Sequence, residues 1–266
     1  MPDITIYEVG PRDGLQSHNK FISTEHKVRL IEMLHNAGLQ NIEATSFVNP
    51  KKIPMMADAE EVFLKTKQYS PSALVPNMRG FKRAKKAGVE KINIFLSADE
   101  RFNKNNLGMS LNEALSNYKE MLKDIPRNRV RVYISCFFDP NITQGMIVEK
   151  ALTLGSKIVL CDTDGKATPE ILSSKLHPLL ANYHPEAFAI HFHKGNVPMM
   201  DNVSTAYNIG IREFDSSIGG LGGCPLFPNS NGNLPTEDLV SWAKQHGIEC
   251  GVNDVSPVLS FLNEIV

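Results

Sequence analysis

The chain has 266 residues, 42% of them hydrophobic and 21% charged, and its 28 Lys plus Arg nearly balance 29 Asp plus Glu, for a net charge of −1. That apolar content with so small a net charge excludes a disordered chain and a single-sign surface for nucleic acid. At this length a single domain over residues 1–266 is expected, because α/β barrels reach about 250 residues as one unit.

Along the chain, β-rich runs alternate with helical patterns. Strands are predicted at 4–9, 41–46, 72–77, 91–97, 131–136, 157–163, 188–193 and 213–218, each of ordinary length and most rich in Val, Ile, Phe or Thr. Helices are predicted at 24–37, 57–67, 79–87, 111–123, 143–154, 168–181, 198–208 and 236–246. In the first, Val28, Leu30, Ile31, Leu34 and Ala37 fall near one stripe, Ser23 or Thr24 can cap its start and Gly38 its end. Eight β-then-α units, with no G-x-G-x-x-G after the first strand, favour an α/β fold closed as a (β/α)₈ TIM barrel over an open doubly wound sheet. Residues after 247 read as a short C-terminal extension ending in a helix.

The four cysteines, Cys136, Cys161, Cys224 and Cys250, form no C-x-x-C pair, so neither a disulfide framework nor a zinc ribbon is expected, and isolated thiols suit a reducing compartment. The start MPDITIYEVG lacks a basic region followed by an apolar run, and no stretch approaches the ~20 apolar residues that span a bilayer. A cytoplasmic protein without membrane or nucleic-acid partners is expected, assembled as a homo-oligomer, a dimer.

A barrel carries its chemistry at the C-terminal ends of its strands. There the sequence places Arg12-Asp13 after strand 1, Glu43 in strand 2, Asp162 at the end of strand 6, His191-Phe192-His193 in strand 7, and Gly219–Pro225 followed by Asn233 after strand 8. Strand residues i and i+2 share a face, so His191 and His193 project together. Two imidazoles and a carboxylate oxygen can hold a divalent cation, with Asp13 as third ligand; the alternative is two unrelated histidines. The glycine run allows positive φ and close approach to a ligand. It would carry the Cys224 thiol over the mouth as a proton-transfer group, or be a structural turn with an incidental cysteine. Arg12 can stabilise a developing enolate or carboxylate oxygen, or serve only as an ion pair to Glu43. Asp162 reads as a ligand partner, a general base or a strand-end hydrogen-bond acceptor. Lys82, Lys85 and Lys86 read as a solvated helix face that could meet phosphates. Cys136 and Cys161, both placed within strands, read as small buried hydrophobes, and Met55 and Met56 as core or a substrate-site lining.

Glu8–Gln16, Ile42–Val48, Pro50-Lys51, Pro54–Met56, Pro76-Asn77, Phe95–Glu100, His191–His193, Ser216–Pro225 and Gly232–Leu239 together resemble the 3-hydroxy-3-methylglutaryl-CoA lyase family. This is a group within the metal-dependent barrel superfamily of lyases and Claisen-type synthases. The resemblance spans almost the whole chain and is strongest in the glycine–cysteine loop. It implies Mg²⁺ or Mn²⁺ bound by Asp13, His191, His193 and Asn233, Arg12 as electrophilic support, Cys224 as a catalytic thiol, and Asp162 and Glu43 as supporting site residues. It implies an acyl-CoA substrate and retro-Claisen cleavage to acetyl-CoA and acetoacetate. The chain departs from the family pattern at Lys194-Gly195-Asn196-Val197, at Phe137–Ile142 and at Leu226, departures that bear on the acyl group. Two alternatives stand beside this reading: a lyase or aldolase for a different 3-hydroxyacyl-CoA or hydroxy-oxo acid, and a non-catalytic barrel that binds metal or acyl-CoA.

Overall fold

The structure is a computed structural model, and it describes residues 2–142, 146–223 and 232–266. Eight parallel strands close in sequence order, β1 Thr5–Glu8, β2 Asn41–Ser46, β3 Ser72–Leu74, β4 Lys91–Ser97, β5 Val130–Ser135, β6 Lys157–Asp162, β7 Phe188–Phe192 and β8 Glu213–Ser216. The ring shuts where β1 meets β8, with Tyr7 opposite Asp215 and Glu8 opposite Ser216. Strands covered on both faces carry continuous rather than alternating hydrophobicity; every residue of β5 is buried. The helices are α1 Thr24–Asn36, α2 Ala59–Thr66, α3 Met78–Ala87, α4 Glu100–Leu107, α5 Leu111–Leu122, α6 Ile147–Leu154, α7 Pro169–Leu180, α8 Met199–Ile209, α9 Thr236–Gln245 and α10 Ser256–Ile265. The predicted barrel is therefore the observed fold.

Local chemistry explains most boundaries. Ser23 caps α1 by accepting from the His26 amide, Asn77 caps α3, and Ser110 and Glu113 form a reciprocal capping box on α5, each satisfying amides that a helix start leaves open. Strand β3 stops at Leu74 rather than 77 because Pro76 has no N–H for the ladder. Helix α4 is absent from the predicted elements, although Asp99 caps it and Gly108 ends it in a left-handed turn; its sequence ERFNKNNL offers too little apolar periodicity. Of the predicted helix 143–154, residues 143–145 lie outside the described residues.

Cys136 corrects the expectation that it lies within a strand: it follows β5 with φ +58°, a costly conformation for a side-chain-bearing residue. Its amide is held by the Thr163 hydroxyl at 2.9 Å. It is buried, as is Cys161 within β6. The main core lies between strands and helices, and it contains Met55, Met56, Phe137 and Phe138. Phe138 stacks on Phe192. Lys82, Lys85 and Lys86 are exposed on α3. The C-terminal helix α10 packs on α1 and on the turn at Ile218–Gly220, where Leu259 and Leu262 meet Gly219. Among the described residues, no helix is long and apolar enough to cross a membrane.

The barrel interior is unusually polar. Tyr7, Ser72, Asn93 and Glu43 form one hydrogen-bonded group. Arg131 bonds Glu213 and Asp215, while Phe95, Tyr133, Val159, Cys161 and Ala189 make a small apolar cluster above them. This interior supports the site from below.

Candidate metal centre and active site

After β1 the chain makes one wide helical turn over Gly10–Gly14. The amides of Asp13 and Gly14 both donate to the Val9 carbonyl, at 2.7 and 3.3 Å, and all five residues are buried. Such widened turns often mark functional sites. A side chain at position 10 would crowd the buried Glu8 carboxylate, since a Cβ there would lie 2.6 Å from Glu8 Oε1. The turn aims Arg12 and Asp13 into the mouth. Arg12 bonds Glu43 through Nε and Asp13 through Nη1. Glu43 also accepts from Asn93 Nδ2 at 2.6 Å. Burial opposes the charge on Arg12, but Asp13 and Glu43 outweigh it and raise its pKa further. Asp13 is held below the usual carboxylate range: burial pushes it up, and Arg12 and the two histidines more than offset this. Burial raises Glu43, with Arg12 and Asn93 pulling against it.

His191 and His193 leave β7 on one face, as the spacing requires. One ligand atom from each of Asp13, His191 and His193 lies within 4.8 Å of the others. Asn233 is brought beside them because residues 193 and 233 pair as an antiparallel bridge. Its Nδ2 donates to Asp13 Oδ2 at 2.9 Å and to the Leu221 carbonyl at 2.8 Å. The four residues expected as ligands therefore come together.

The donor atoms themselves test whether a cation fits. His191 Nδ1 lies 3.1 Å from Asp215 Oδ2, and His193 Nδ1 lies 3.2 Å from the Asp162 carbonyl. Carboxylate and carbonyl oxygens only accept, so each Nδ1 carries the hydrogen. Both neutral rings then turn an Nε2 lone pair toward the other across 3.3 Å, beside the Asp13 carboxylate. That arrangement repels itself unless a cation or a proton sits among the three. Among the described residues, Asn233 Oδ1 is also buried without a hydrogen-bond partner. Two imidazoles with carboxylate and amide oxygens suit a hard or borderline divalent ion, so the residues fit a metal. Burial and the neighbouring His191 push His193 down to about 4. Burial also opposes a proton on His191, but Asp215 outweighs it and raises the pKa.

Asp162 serves as a hydrogen-bond acceptor at the strand end. Its Oδ1 accepts from the Lys166 and Ala167 amides, both at 2.9 Å, and burial pushes its carboxyl up to about 7. It thus holds the turn after β6 and, through its carbonyl, orients His193. Cys224 lies outside the described residues. Gly223, just before it, lines a cavity of about 1340 Å³ together with Arg12, Asp13, Tyr133, His191 and His193. The wall also includes Phe102 and Asn105 of α4 and the cations Lys52, Arg79 and Lys104. Phe137, Phe138 and Lys194 are not among the lining side chains: the first two are in the core and Lys194 is exposed.

Three contributors carried no role in the sequence reading. Asp215 backs His191, Gln16 Nε2 reaches Asp13 Oδ1 at 3.2 Å, and Tyr133 crosses the His191 ring edge to face. The available signal was a period of two in polar residues, Arg131-Tyr133-Ser135 and Glu213-Asp215-Ser217, on strands otherwise expected to be apolar.

An Asp-His-His donor set with an arginine beside it, at the C-terminal mouth of a closed (β/α)₈ barrel, defines a barrel enzyme with a site that could hold a metal. The HMGL-like family profile matches residues 3–260. The chain is 40% identical over 264 residues to mitochondrial hydroxymethylglutaryl-CoA lyase of Macaca fascicularis, covering 94% of this chain and 81% of that one. It is 38% identical over 262 residues to hydroxymethylglutaryl-CoA lyase YngG of Bacillus subtilis, covering 94% and 88%. The crystal structure of HMG-CoA lyase from Bacillus subtilis superposes with a TM-score of 0.89 at 36% identity, over 100% of this chain and 94% of that one. The HMG-CoA lyase of A. baumannii in complex with coenzyme A and 3-methylmalate gives 0.88 at 34%, over 98% and 88%. The chain belongs to the HMGL-like family and is a carbon–carbon lyase.

Proposed function

We propose that this protein cleaves 3-hydroxy-3-methylglutaryl-CoA to acetyl-CoA and acetoacetate, with Mg²⁺ or Mn²⁺ held by Asp13, His191, His193 and Asn233. The observation that carries this reading is the pair of facing Nε2 atoms beside the Asp13 carboxylate, 3.3 Å apart. A divalent ion bound there supplies Lewis acidity to the hydroxyl and carbonyl oxygens of the substrate.

The residues of the chain do the rest. Among the described residues, Arg12 has Nε and Nη1 engaged and Nη2 open for a substrate oxygen. In the cleavage the 3-hydroxyl gives up its proton to water at the mouth and its oxygen becomes the ketone of acetoacetate. The C2–C3 electron pair passes to C2 as a thioester enolate, whose growing negative charge Arg12 is placed to stabilise. A proton delivered to C2 completes acetyl-CoA, and the family resemblance assigns that delivery to Cys224. Glu43 acts through Arg12, holding the guanidinium, and Asp162 acts through the turn after β6.

The cavity exceeds the roughly 300–1,000 Å³ usual for drug-sized ligands, and Lys52, Arg79 and Lys104 on its wall suit the phosphates of a CoA. The A. baumannii relative is described with coenzyme A, which supports an acyl-CoA substrate. Of the family departures, Lys194 and Phe137-Phe138 stand away from the cavity wall, which supports the six-carbon branched acyl group, and Leu226 lies outside the described residues. Among the described residues, the free thiols Cys161 and Cys250 support a reducing, cytoplasmic setting. The test is kcat/KM across a panel of 3-hydroxyacyl-CoAs in metal-replete buffer, with acetyl-CoA as readout. The branched six-carbon substrate should lead the panel. Preference for another member would move the acyl assignment, and cleavage of a CoA-free hydroxy-oxo acid instead would overturn the acyl-CoA reading.

A further inference from the structure

A buried line of polar side chains runs up the barrel axis beneath the metal ligands. Arg131 of β5 donates through Nη1 to Glu213 and through Nη2 to Asp215 Oδ1, both on β8. Its guanidinium lies 3.9 Å over the Tyr7 ring, so it is fixed from two sides. The other oxygen of Asp215, Oδ2, faces His191 Nδ1 at 3.1 Å, and residues 191 and 215 are register partners on neighbouring strands. The Asp215 side chain is fully buried, and Arg131 and His191 occupy one oxygen each.

We propose that Asp215, clamped by Arg131, is the positioning residue that sets the tautomer and ring plane of His191, so that Nε2 presents a lone pair to the metal. This rests on the metal site proposed above and adds to it a residue that touches neither ion nor substrate. Either nitrogen of a neutral imidazole can carry the hydrogen, and the partner of the other nitrogen decides which does. A carboxylate at position 215 can only accept, which forces the hydrogen onto Nδ1.

The isosteric change Asp215→Asn reverses that logic. A carboxamide has one accepting oxygen and one donating nitrogen, and Arg131 only donates. The amide oxygen must therefore turn to Arg131, leaving the NH₂ group against His191 Nδ1. That nitrogen must then accept, and the hydrogen moves to Nε2, where the metal should bind. Substitution of a carboxylate by its amide behind a histidine imposes the wrong tautomer in this way.

Two measurements test the proposal. In the metal-free wild-type protein at alkaline pH, ¹⁵N NMR should show His191 with hydrogen on Nδ1, and in Asp215→Asn on Nε2. Mn²⁺ titration followed by EPR should give a Kd about 10- to 100-fold weaker in the variant, the usual cost of losing such a partner. Hydrogen on Nε2 in the wild type, or a variant Kd within about twofold of wild type at unchanged denaturant midpoint, overturns the proposal. Should Asp215→Asn not fold, the wild-type spectrum alone decides. His193→Ala separates the two levels. If it loses Mn²⁺ while Asp215→Asn does not, the positioning role fails and the metal site stands. If His193→Ala keeps wild-type affinity, the metal reading itself fails.

Discussion

Replacing Glu8 by glutamine should change the pH dependence of stability more than stability itself. Glu8 is fully buried. Its Oε1 accepts from the Gly10 amide at 2.7 Å and the Ile218 amide at 3.0 Å, and its Oε2 from the Thr236 hydroxyl at 2.5 Å. It thereby ties β1 to both flanks of the loop that contains Cys224. Burial pushes its carboxyl from 4.5 to about 7, against the pull of those three hydrogen bonds. A folded value above the unfolded one means the folded state holds its proton more tightly. As pH rises from about 4.5 to about 7 the unfolded chain sheds that proton first, so stability falls through this window and the loss is complete above it. The shift corresponds to about 3 kcal/mol at 1.36 kcal/mol per unit. Glutamine is isosteric, never ionises, and can keep its oxygen on the two amides while its NH₂ donates to Thr236. Near pH 5 the variant should match wild type within about 1 kcal/mol, the worth of one altered hydrogen bond. At pH 8 it should be the more stable by up to about 3 kcal/mol. Trp242 is the single tryptophan and is buried, so urea unfolding followed by its fluorescence reads the difference directly. A difference that is the same at pH 5 and pH 8, or that favours wild type increasingly as pH rises, would refute the reasoning.

Two other substitutions probe the mouth. Gly222 has φ +109°, and a Cβ there would lie 2.4 Å from Asn233 Nδ2. Gly222→Ala should therefore displace Asn233 and weaken Mn²⁺ binding about tenfold or more by isothermal titration, the scale of losing support to a ligand; unchanged binding would show that Asn233 is not held by this contact. Cys224→Ser should lower turnover of the acyl-CoA about 10²-fold, the scale of a lost proton-transfer group. Cys136→Ser, at a buried thiol after β5, and Cys161→Ser, at a thiol in the apolar cluster on the cavity floor, should spare most of it. The reverse pattern in steady-state kinetics would remove Cys224 from the mechanism.

Much of this molecule is legible in its sequence because a parallel barrel writes each strand as a short apolar run. KINIFLS and KIVLCDT are unmistakable for that reason, and the strand order follows once there are eight such runs with helices between them. The His-x-His pair is legible because period two leaves both rings on one face. Helix α4 is not legible: its stability comes from the Asp99 and Gly108 caps and from Asn103, whose amide bonds the Ser97 backbone at 2.9 and 2.6 Å, not from an apolar stripe. The role of Asp215 is hidden for a different reason. A barrel interior is assembled from strands far apart in the chain, so Arg131, His191 and Asp215 become partners only through closure. The pairing of Asn233 with His193 is hidden likewise, since a loop bridge carries no periodic signal. Phe137 and Phe138 could be read as site or core, and Phe138 stacked on Phe192 with Phe137 edge-on to Phe138 decides for the core.

The most direct test is to titrate metal-free protein with Mn²⁺ while following both bound ion and acetyl-CoA released from 3-hydroxy-3-methylglutaryl-CoA. The rate should rise from near zero in proportion to bound metal and level off at one ion per chain, with acetoacetate formed in equal amount. Full turnover in rigorously metal-free protein, or no acetyl-CoA at saturating metal, would contradict a lyase whose metal is held by Asp13, His191, His193 and Asn233.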